Sequence, residues 1–359
     1  MSELELLHTT YLNNDYNRYT SVELFAGAGG MALGMEKAGF QHLLLNEVDR
    51  HAVETLKFNR PKWNVLHKDI KDVDFTPYKG VDLLTGGYPC QAFSYAGQKR
   101  GLEDTRGTLF YEFARALKES QPKVFLAENV KGLKSHDGGR TLQTMVEVFE
   151  SMGYVVHEPT VLKGIHYSVP QKRERLIIVG IRKEYASKVK YEFPKASEKM
   201  YTLKDALKKG DLYSSDVPKS KGQVYPEKKK QVLELVPAGG YWRDLPLELQ
   251  KKYMMKSFYL GGGKTGIARR ISWDEPCLTL TCSPAQKQTE RCHPEETRPF
   301  EVREYARIQT FPDTWYFQGS MTQQYKQIGN AVPVNLSFAL GMSLKKVLNE
   351  IKKVEVASV

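Results

Sequence analysis

Between Thr20 and Arg182 the chain alternates short apolar runs with segments of helical periodicity, and no other feature constrains the fold as strongly. Thr20–Phe25, His42–Asn46, Asn64–His67, Val81–Thr85, Val124–Ala127 and Leu176–Ile181 read as strands. Met31–Ala38, His51–Phe58, Thr108–Glu119 and Thr141–Met152 read as helices between them. Strands that are apolar along their whole length are buried on both faces, which calls for a parallel sheet with helices above and below it. After Arg182 the pattern breaks into short lysine-rich segments that include Gly261-Gly262-Gly263. Order returns at Val302–Thr310 and in the apolar-periodic segment Val334–Ile351. The expected fold is α/β, with a doubly covered sheet, and 359 residues allow either two domains or one large domain carrying an insertion.

Several classes drop out at once. No run approaches 18 consecutive apolar residues, so neither a membrane span nor a membrane partner is expected. Residues 1–19 lack the basic-then-apolar order of a signal peptide. Four cysteines (Cys90, Cys277, Cys282 and Cys292) without CxxC spacing suggest neither a disulfide framework nor a zinc site. A reduced, cytoplasmic setting and no metal are therefore expected. The net charge is +11, unevenly spread. Residues 1–182 carry 23 basic and 22 acidic side chains, whereas residues 183–297 carry 22 and 15, or +7 of the excess. Any single lysine run reads most simply as a solvated surface, but clustering on this scale suits a phosphate backbone.

Four motifs carry chemistry. Phe25-Ala26-Gly27-Ala28-Gly29-Gly30 lies between the first strand and helix, where a glycine turn brings backbone close to a ligand at a helix N-terminus. Gly27, Gly29 and Ala32 also satisfy G-x-G-x-x-A, so this motif alone fits a nicotinamide dinucleotide as well as any other nucleoside cofactor. Glu47, ending the second strand, can accept from ribose hydroxyls in either case. Pro89-Cys90-Gln91-Ala92-Phe93-Ser94 follows a strand through Gly86-Gly87-Tyr88. A cysteine by itself is usually a small buried hydrophobe, but one in a polar loop at the C-terminal sheet edge is a candidate nucleophile. Ala127-Glu128-Asn129-Val130 brings a carboxylate to the same edge. In Gln171-Lys172-Arg173-Glu174-Arg175, strand alternation points Gln171, Arg173 and Arg175 to one side.

In this order the blocks resemble the DNA cytosine-5 methyltransferase family: FAGAGG at 25–30, NE at 46–47, DI at 69–70, PCQAFS at 89–94, GTLF at 107–110, ENV at 128–130 and QKRER at 171–175. The match resumes with RPFEVREYARIQTFPD at 298–313 and QIGNAVP at 327–333. The resemblance implies a Rossmann-like, S-adenosylmethionine-dependent methyltransferase sheet and a smaller target-recognition domain. Residues 1–18 would be an N-terminal extension and 19–182 the catalytic and cofactor-binding domain. Residues 183–297 would recognise the target, and 298–359 would return to the large domain. The cofactor would be S-adenosyl-L-methionine, leaving as S-adenosyl-L-homocysteine, with no metal. By resemblance Phe25, Ala26, Gly27, Gly29 and Gly30 meet its methionine part, Glu47 its ribose, and Asp69 and Ile70 its adenine, with Leu109 nearby. Many members carry an aromatic residue where this chain has Val48, so a weaker stacking surface is expected. Asn330 and Ala331 should return beside Phe25.

The implied reaction needs these residue types. Carbon 5 of cytosine is too poor a nucleophile until a thiolate, here Cys90, adds to carbon 6. Glu128 would hydrogen-bond or protonate ring nitrogen 3, with its pKa raised by burial beside the base. Arg175, supported by Arg173 and Gln171, would hold the base carbonyl. The base that removes the carbon 5 proton is not identified, and water is one candidate. A cytosine inside a duplex must first be flipped out. Residues 92–107, with Ser94, Lys99, Arg100 and Arg106, suit a lid closing over phosphate. Lys264, Arg269, Arg270, Gln288 and Arg291 are candidate DNA-binding side chains in the variable region. The whole looks like a stand-alone prokaryotic restriction–modification enzyme: monomeric, cytoplasmic, nucleoid-associated when bound to double-stranded DNA. A cognate restriction endonuclease would act on the same site without a stable complex. The alternative is an RNA cytosine-5 methyltransferase with the same chemistry.

Overall fold

A computed structural model of the chain describes residues 18–89 and 109–357. They form two units. The first comprises the described residues up to Lys163, together with Glu174–Ala196 and the chain from Val334 onward. Its strands are β1 (Tyr19–Leu24), β2 (Phe40–Glu47), β3 (Val65–His67), β4 (Leu83–Gly86), β5 (Val124–Val130), β6 (Tyr154–Val156) and β7 (Thr160–Lys163). After β8 (Gln171–Lys172), which belongs to the second unit, β9 (Glu174–Arg182) completes the sheet. The helices α1 (Gly30–Ala38), α2 (Arg50–Asn59), α3 (Leu109–Ser120) and α4 (Arg140–Ser151) alternate with the strands.

The sheet order is β3-β2-β1-β4-β5-β9-β6, with β7 also paired to β9. Strands β1 to β5 are mutually parallel. Every strand and helix expected before Arg182 is present, but the last strand runs the other way: β9 is antiparallel to β5, β6 and β7. The physical reason is the connection, since a parallel neighbour needs a long crossover and no α-helix separates β6, β7 and β9. Chain order reverses between β1 and β4, the point at which open α/β sheets place their ligands.

Packing explains several glycines. Phe113, Phe125 and Phe149 stack beside the sheet, with the rings of Phe125 and Phe149 4.6 Å apart. Gly180 pairs with Phe125 across the ladder, and a Cβ there would lie 2.1 Å from its ring. The C-terminal helix Val334–Ala357 packs on α1 in the same close manner. A Cβ at Gly34 would come within 2.4 Å of Ser337 Cβ, and one at Gly341 within 2.6 Å of Ala38 Cβ. Lys183–Ala196 stays with this unit, where Tyr185 donates to Glu355 (2.7 Å) and the Lys190 amide to Glu350 (3.1 Å).

The second unit is Gly164–Arg173 with Ser197–Pro333, so residues 298–333 belong here. Its regular structure is sparse: short helices and the parallel pair β8 and β10 (Cys277–Leu278). Tyr225, Leu233, Trp242, Met254 and Ile267 form its own apolar cluster. Where ladders are few, buried side chains must satisfy the backbone. Arg307 does so for Ser215 (2.9 Å) and Asp216 (3.1 Å). Among the described residues no helix is long and apolar enough to cross a membrane.

Candidate active site

Beyond β1 the chain enters a strained turn. Phe25 has φ 57°, Gly27 53° and Gly29 84°. A bulky residue in the left-handed region is costly and persists only where its surroundings hold it. Here the Ala26 amide donates to Asn46 O at 3.1 Å, and the Gly27 amide to Glu47 Oε2 at 2.7 Å. Glu47 Oε1 accepts from the amides of Val48 (2.8 Å) and Asp49 (2.7 Å). One carboxylate thus ties the glycine loop to the start of α2 and keeps an acceptor position on Oε2. Around Gly27 the space is open, with nothing within 4 Å of where a Cβ would stand.

Asp69 caps a turn, accepting from the Lys71 amide (3.2 Å), and that hydrogen bond chiefly holds its carboxyl below the usual range. Ile70 is buried, and its carbonyl accepts from Arg115 at 2.7 Å. Val48 is 63% exposed, so its side chain is uncovered. Leu109 opens α3 against the core.

Two polar groups beneath this loop were not singled out from sequence. Glu23 is buried in β1, and burial pushes its carboxyl up to about 8 despite hydrogen bonds from Thr85 and the Ala32 amide. His42 Nε2 lies 2.9 Å from Ala32 O and Nδ1 2.8 Å from Ser21 Oγ. Burial lowers the His42 pKa, so the neutral ring donates through Nε2 and accepts from Ser21. Polar Ser21 and Glu23, two apart in an otherwise apolar strand, were the available signal.

At the neighbouring edge, Gly86 of β4 pairs with Ala127 of β5, which sets Gly87 beside Glu128. A Cβ at Gly87 would lie 2.7 Å from Glu128 Oε2, so any larger residue there displaces the carboxylate. The Glu128 carboxylate is buried, and its Oε1 accepts from Arg175 Nε at 2.6 Å. Arg175 reaches it from β9, where it pairs with Val130. Asn129 Nδ2 donates to Tyr88 O at 2.9 Å, fixing the turn just before Pro89. Cys90, Ser94, Lys99, Arg100 and Arg106 lie outside the described residues.

Of the three side chains expected on one side, only Arg175 is brought to Glu128. Arg173 is buried in the second unit and donates to the carbonyls of Leu280 (3.1 Å) and Gly329 (2.9 Å). Gln171 donates to Gln309 Oε1 and accepts from the Leu280 amide, each at 2.9 Å. Alternation fails because β8 ends at Lys172 and β9 begins at Glu174, in different units. Asn330 and Ala331 also belong to the second unit, where Asn330 Oδ1 accepts from Cys282 Sγ at 3.1 Å.

The DNA-binding candidates divide sharply. Arg270 is buried, donating to Leu233 O and Val236 O (each 2.7 Å) and His293 O (3.0 Å). Arg291 is buried too and clamps Thr279 O through Nε (3.1 Å) and Nη2 (2.6 Å). Lys264 turns back onto the carbonyls of Ser257 and Leu260. These three hold the fold, because an irregular backbone needs donors and long cationic side chains supply them. Gln288 is exposed. Arg269 is partly buried, and its Nε has no partner among the described residues.

Residues 19–346 match the family described as C-5 cytosine-specific DNA methylase. The type II methyltransferase M.Eco47II of Escherichia coli is 67% identical over 338 residues, covering 94% of this chain and 81% of that protein. M.Sau96I of Staphylococcus aureus, also a type II methyltransferase, is 54% identical over 342 residues, 94% of this chain and 77% of its own. Among solved structures, a prophage-encoded Escherichia coli protein described as a DNA modification methyltransferase superposes with TM-score 0.70 at 23% identity, covering 92% of this chain and 99% of that one. The Entamoeba histolytica methyltransferase EhMeth gives 0.63 at 15%, covering 91% and 98%. Such low identities speak for the fold alone. The family match runs through both units, and with relatives more than half identical over nearly the whole chain it makes this protein a member of the C-5 cytosine-specific DNA methylase family, a DNA (cytosine-5)-methyltransferase.

Proposed function

We propose that the enzyme methylates carbon 5 of a cytosine flipped out of duplex DNA, through a covalent bond from Cys90 to carbon 6, as the modification half of a type II restriction–modification pair. The observation that carries this reading is the Glu128–Arg175 pair, closed at 2.6 Å beside Gly87, which stands three residues before the cysteine in the chain. The type II methyltransferases among its relatives support the biological setting.

S-adenosyl-L-methionine supplies the methyl group when bound and leaves as S-adenosyl-L-homocysteine. The open side of the glycine loop suits its methionine part, the spare Oε2 position of Glu47 its ribose hydroxyls, and the uncovered Val48 and Asp69–Ile70 its adenine.

The thiolate of Cys90 adds to carbon 6, and the ring's electrons shift toward nitrogen 3, where Glu128 hydrogen-bonds or donates a proton. Arg175 Nε engages Glu128 and Nη1 the Glu174 carbonyl (2.8 Å), which leaves Nη2 for the base carbonyl. Carbon 5 takes the methyl group, and loss of its proton, which water can accept, then expels the Cys90 thiolate as nitrogen 3 gives its proton back to Glu128. Gln171 and Arg173 act indirectly, anchoring the chain where it leaves the second unit for β9. Ser94, Lys99, Arg100 and Arg106 close over phosphate, while Arg269 and Gln288 read the duplex.

Bisulfite sequencing of DNA from cells expressing the full chain tests the reading. One protected cytosine within one short sequence is expected, and no protected cytosine above background would overturn it.

A further inference from the structure

Strand β1 is the middle one of five parallel strands, where burial on both faces calls for apolar side chains throughout. It carries Ser21 and Glu23 instead, two apart and therefore on one face. Register gives each a polar neighbour: Ser21 stands beside His42 of β2, and Glu23 beside Thr85 of β4. All four side chains are buried. Burying a carboxyl and an imidazole costs stability that valine or leucine would not. The seating of α1 does not demand it, because Gly34 and Gly341 already bring that helix and Val334–Ala357 into close contact.

The four converge on one residue of α1. Glu23 accepts from the Ala32 amide, with Thr85 Oγ1 donating to its Oε2 at 3.4 Å. His42 Nε2 donates to the Ala32 carbonyl at 2.9 Å, a group that an α-helix already pairs with the amide four residues on. That bond is an addition to the helix ladder. Ser21 Oγ, 2.8 Å from Nδ1, fixes which ring nitrogen faces the helix. Trp63 stands edge-on to the ring at 4.9 Å and donates to Glu36 Oε1 at 3.1 Å, one turn further along α1.

Ala32 is where such a hold reaches the glycine loop. The N-cap of α1 is Gly29, at φ 84°, which offers no side chain to the first amides of the helix. The Leu33 amide bonds Gly29 O at 2.8 Å and the Gly29 amide bonds Ala26 O at 3.0 Å, so the strained turn and the first helical turn move as one piece. Asn46 and Glu47 hold the front of that piece, and Ala32 lies at its back. A turn with positive φ at Phe25, Gly27 and Gly29 keeps its shape where both ends are held. We propose that Glu23 and His42 are positioning residues for the cofactor: gripping Ala32 by its amide and its carbonyl, they fix the glycine loop in the shape that binds S-adenosyl-L-methionine. This rests on reading the loop as the cofactor site.

The test titrates the full chain, without DNA, with S-adenosyl-L-homocysteine by calorimetry, and follows thermal unfolding of the ligand-free protein. Glu23→Met fills the same space and removes the acceptor. His42→Phe keeps a ring against Trp63 and removes the donor. Each is expected to unfold at or above the wild-type temperature and to bind about tenfold more weakly, the size of one lost buried hydrogen bond. Glu23→Gln keeps an acceptor for the Ala32 amide and should recover most of the affinity, a rescue that a packing role would not give. Wild-type affinity in both Glu23→Met and His42→Phe overturns the clamp and leaves the cofactor reading standing. Equal losses in Glu23→Met and Glu23→Gln overturn it too, as does weaker binding that merely tracks a lowered unfolding temperature. A wild type that does not bind S-adenosyl-L-homocysteine sinks the cofactor reading and the clamp with it.

Discussion

Arg269 and Arg270 are adjacent in the chain and opposite in their commitments: Arg270 Nε donates to Val236 O at 2.7 Å, whereas Arg269 Nε is buried with no partner among the described residues. Another cation, Arg291, is a charged neighbour of Arg269. A partly buried cation in that position is stabilised by an acceptor brought from outside. Arg269→Ala should therefore leave denaturant unfolding unchanged and alter methylation. On a pool of randomised sites, relaxed preference at one base pair marks a base contact, and uniform loss marks phosphate. Arg270→Ala should instead destabilise the protein by roughly 3 kcal/mol, since it strips several buried carbonyls of a charged donor. An unaltered unfolding midpoint for Arg270→Ala would count against that division.

Cys90→Ala should abolish methyl transfer. It should also abolish the denaturant-resistant complex that wild type is expected to form with 5-fluorocytosine DNA, whose fluorine cannot leave as the proton does. Trapping by the variant would remove Cys90 as the nucleophile.

Glu128→Gln keeps the shape and loses the acid. Single-turnover methylation should fall roughly 10²-fold or more, with cofactor affinity nearly unchanged. A wild-type rate would take Glu128 off the reaction path.

Gly87→Ala places a carbon against Glu128 Oε2, at 2.7 Å if nothing moves. The carboxylate must shift, and misplacement on that scale costs on the order of 10²-fold in rate. Cofactor titration should be normal, because the glycine loop is untouched. Full activity would mean that the carboxylate position is not critical.

The six strands before Arg182 were legible because each is an apolar run between helical segments, a pattern that burial on both faces imposes. Direction was not: a strand covered on both faces shows the same run either way, so β9 read like its parallel neighbours. The glycine loop, Glu47, Glu128 and Arg175 stood out as local motifs. Gly87 looked like any loop glycine, since the carboxylate it faces sits on another strand. The cationic side chains were least legible. Lys264, Arg270 and Arg291 share composition and spacing with a DNA-reading surface, and only their burial against carbonyls tells them apart.

Glu23 makes a pH prediction. Its carboxyl is raised to about 8 in the folded protein, against about 4.3 in an unfolded chain. Between those values the folded state holds a proton that the unfolded state has released, so its contribution to stability is present at low pH and declines as pH rises toward 8. Glu23→Gln should remove that decline, so its advantage over wild type should grow from pH 5 to 8. Parallel stability curves would show that Glu23 titrates normally.

Tyr19 donates to Asn349, 330 residues further along, and α1 packs on Val334–Ala357. Time enters here. At ordinary translation rates of about 5–20 residues per second, α1 waits on the order of half a minute for its cover to be synthesised. Contacts of such separation also close slowly once both segments exist. Meanwhile the apolar face of the cofactor-loop helix stays bare, a hazard for nascent chains on neighbouring ribosomes. The second unit ends at Pro333, so its chain is complete before Val334–Ala357 is made. The last stretch to be synthesised therefore completes the unit with which the chain began.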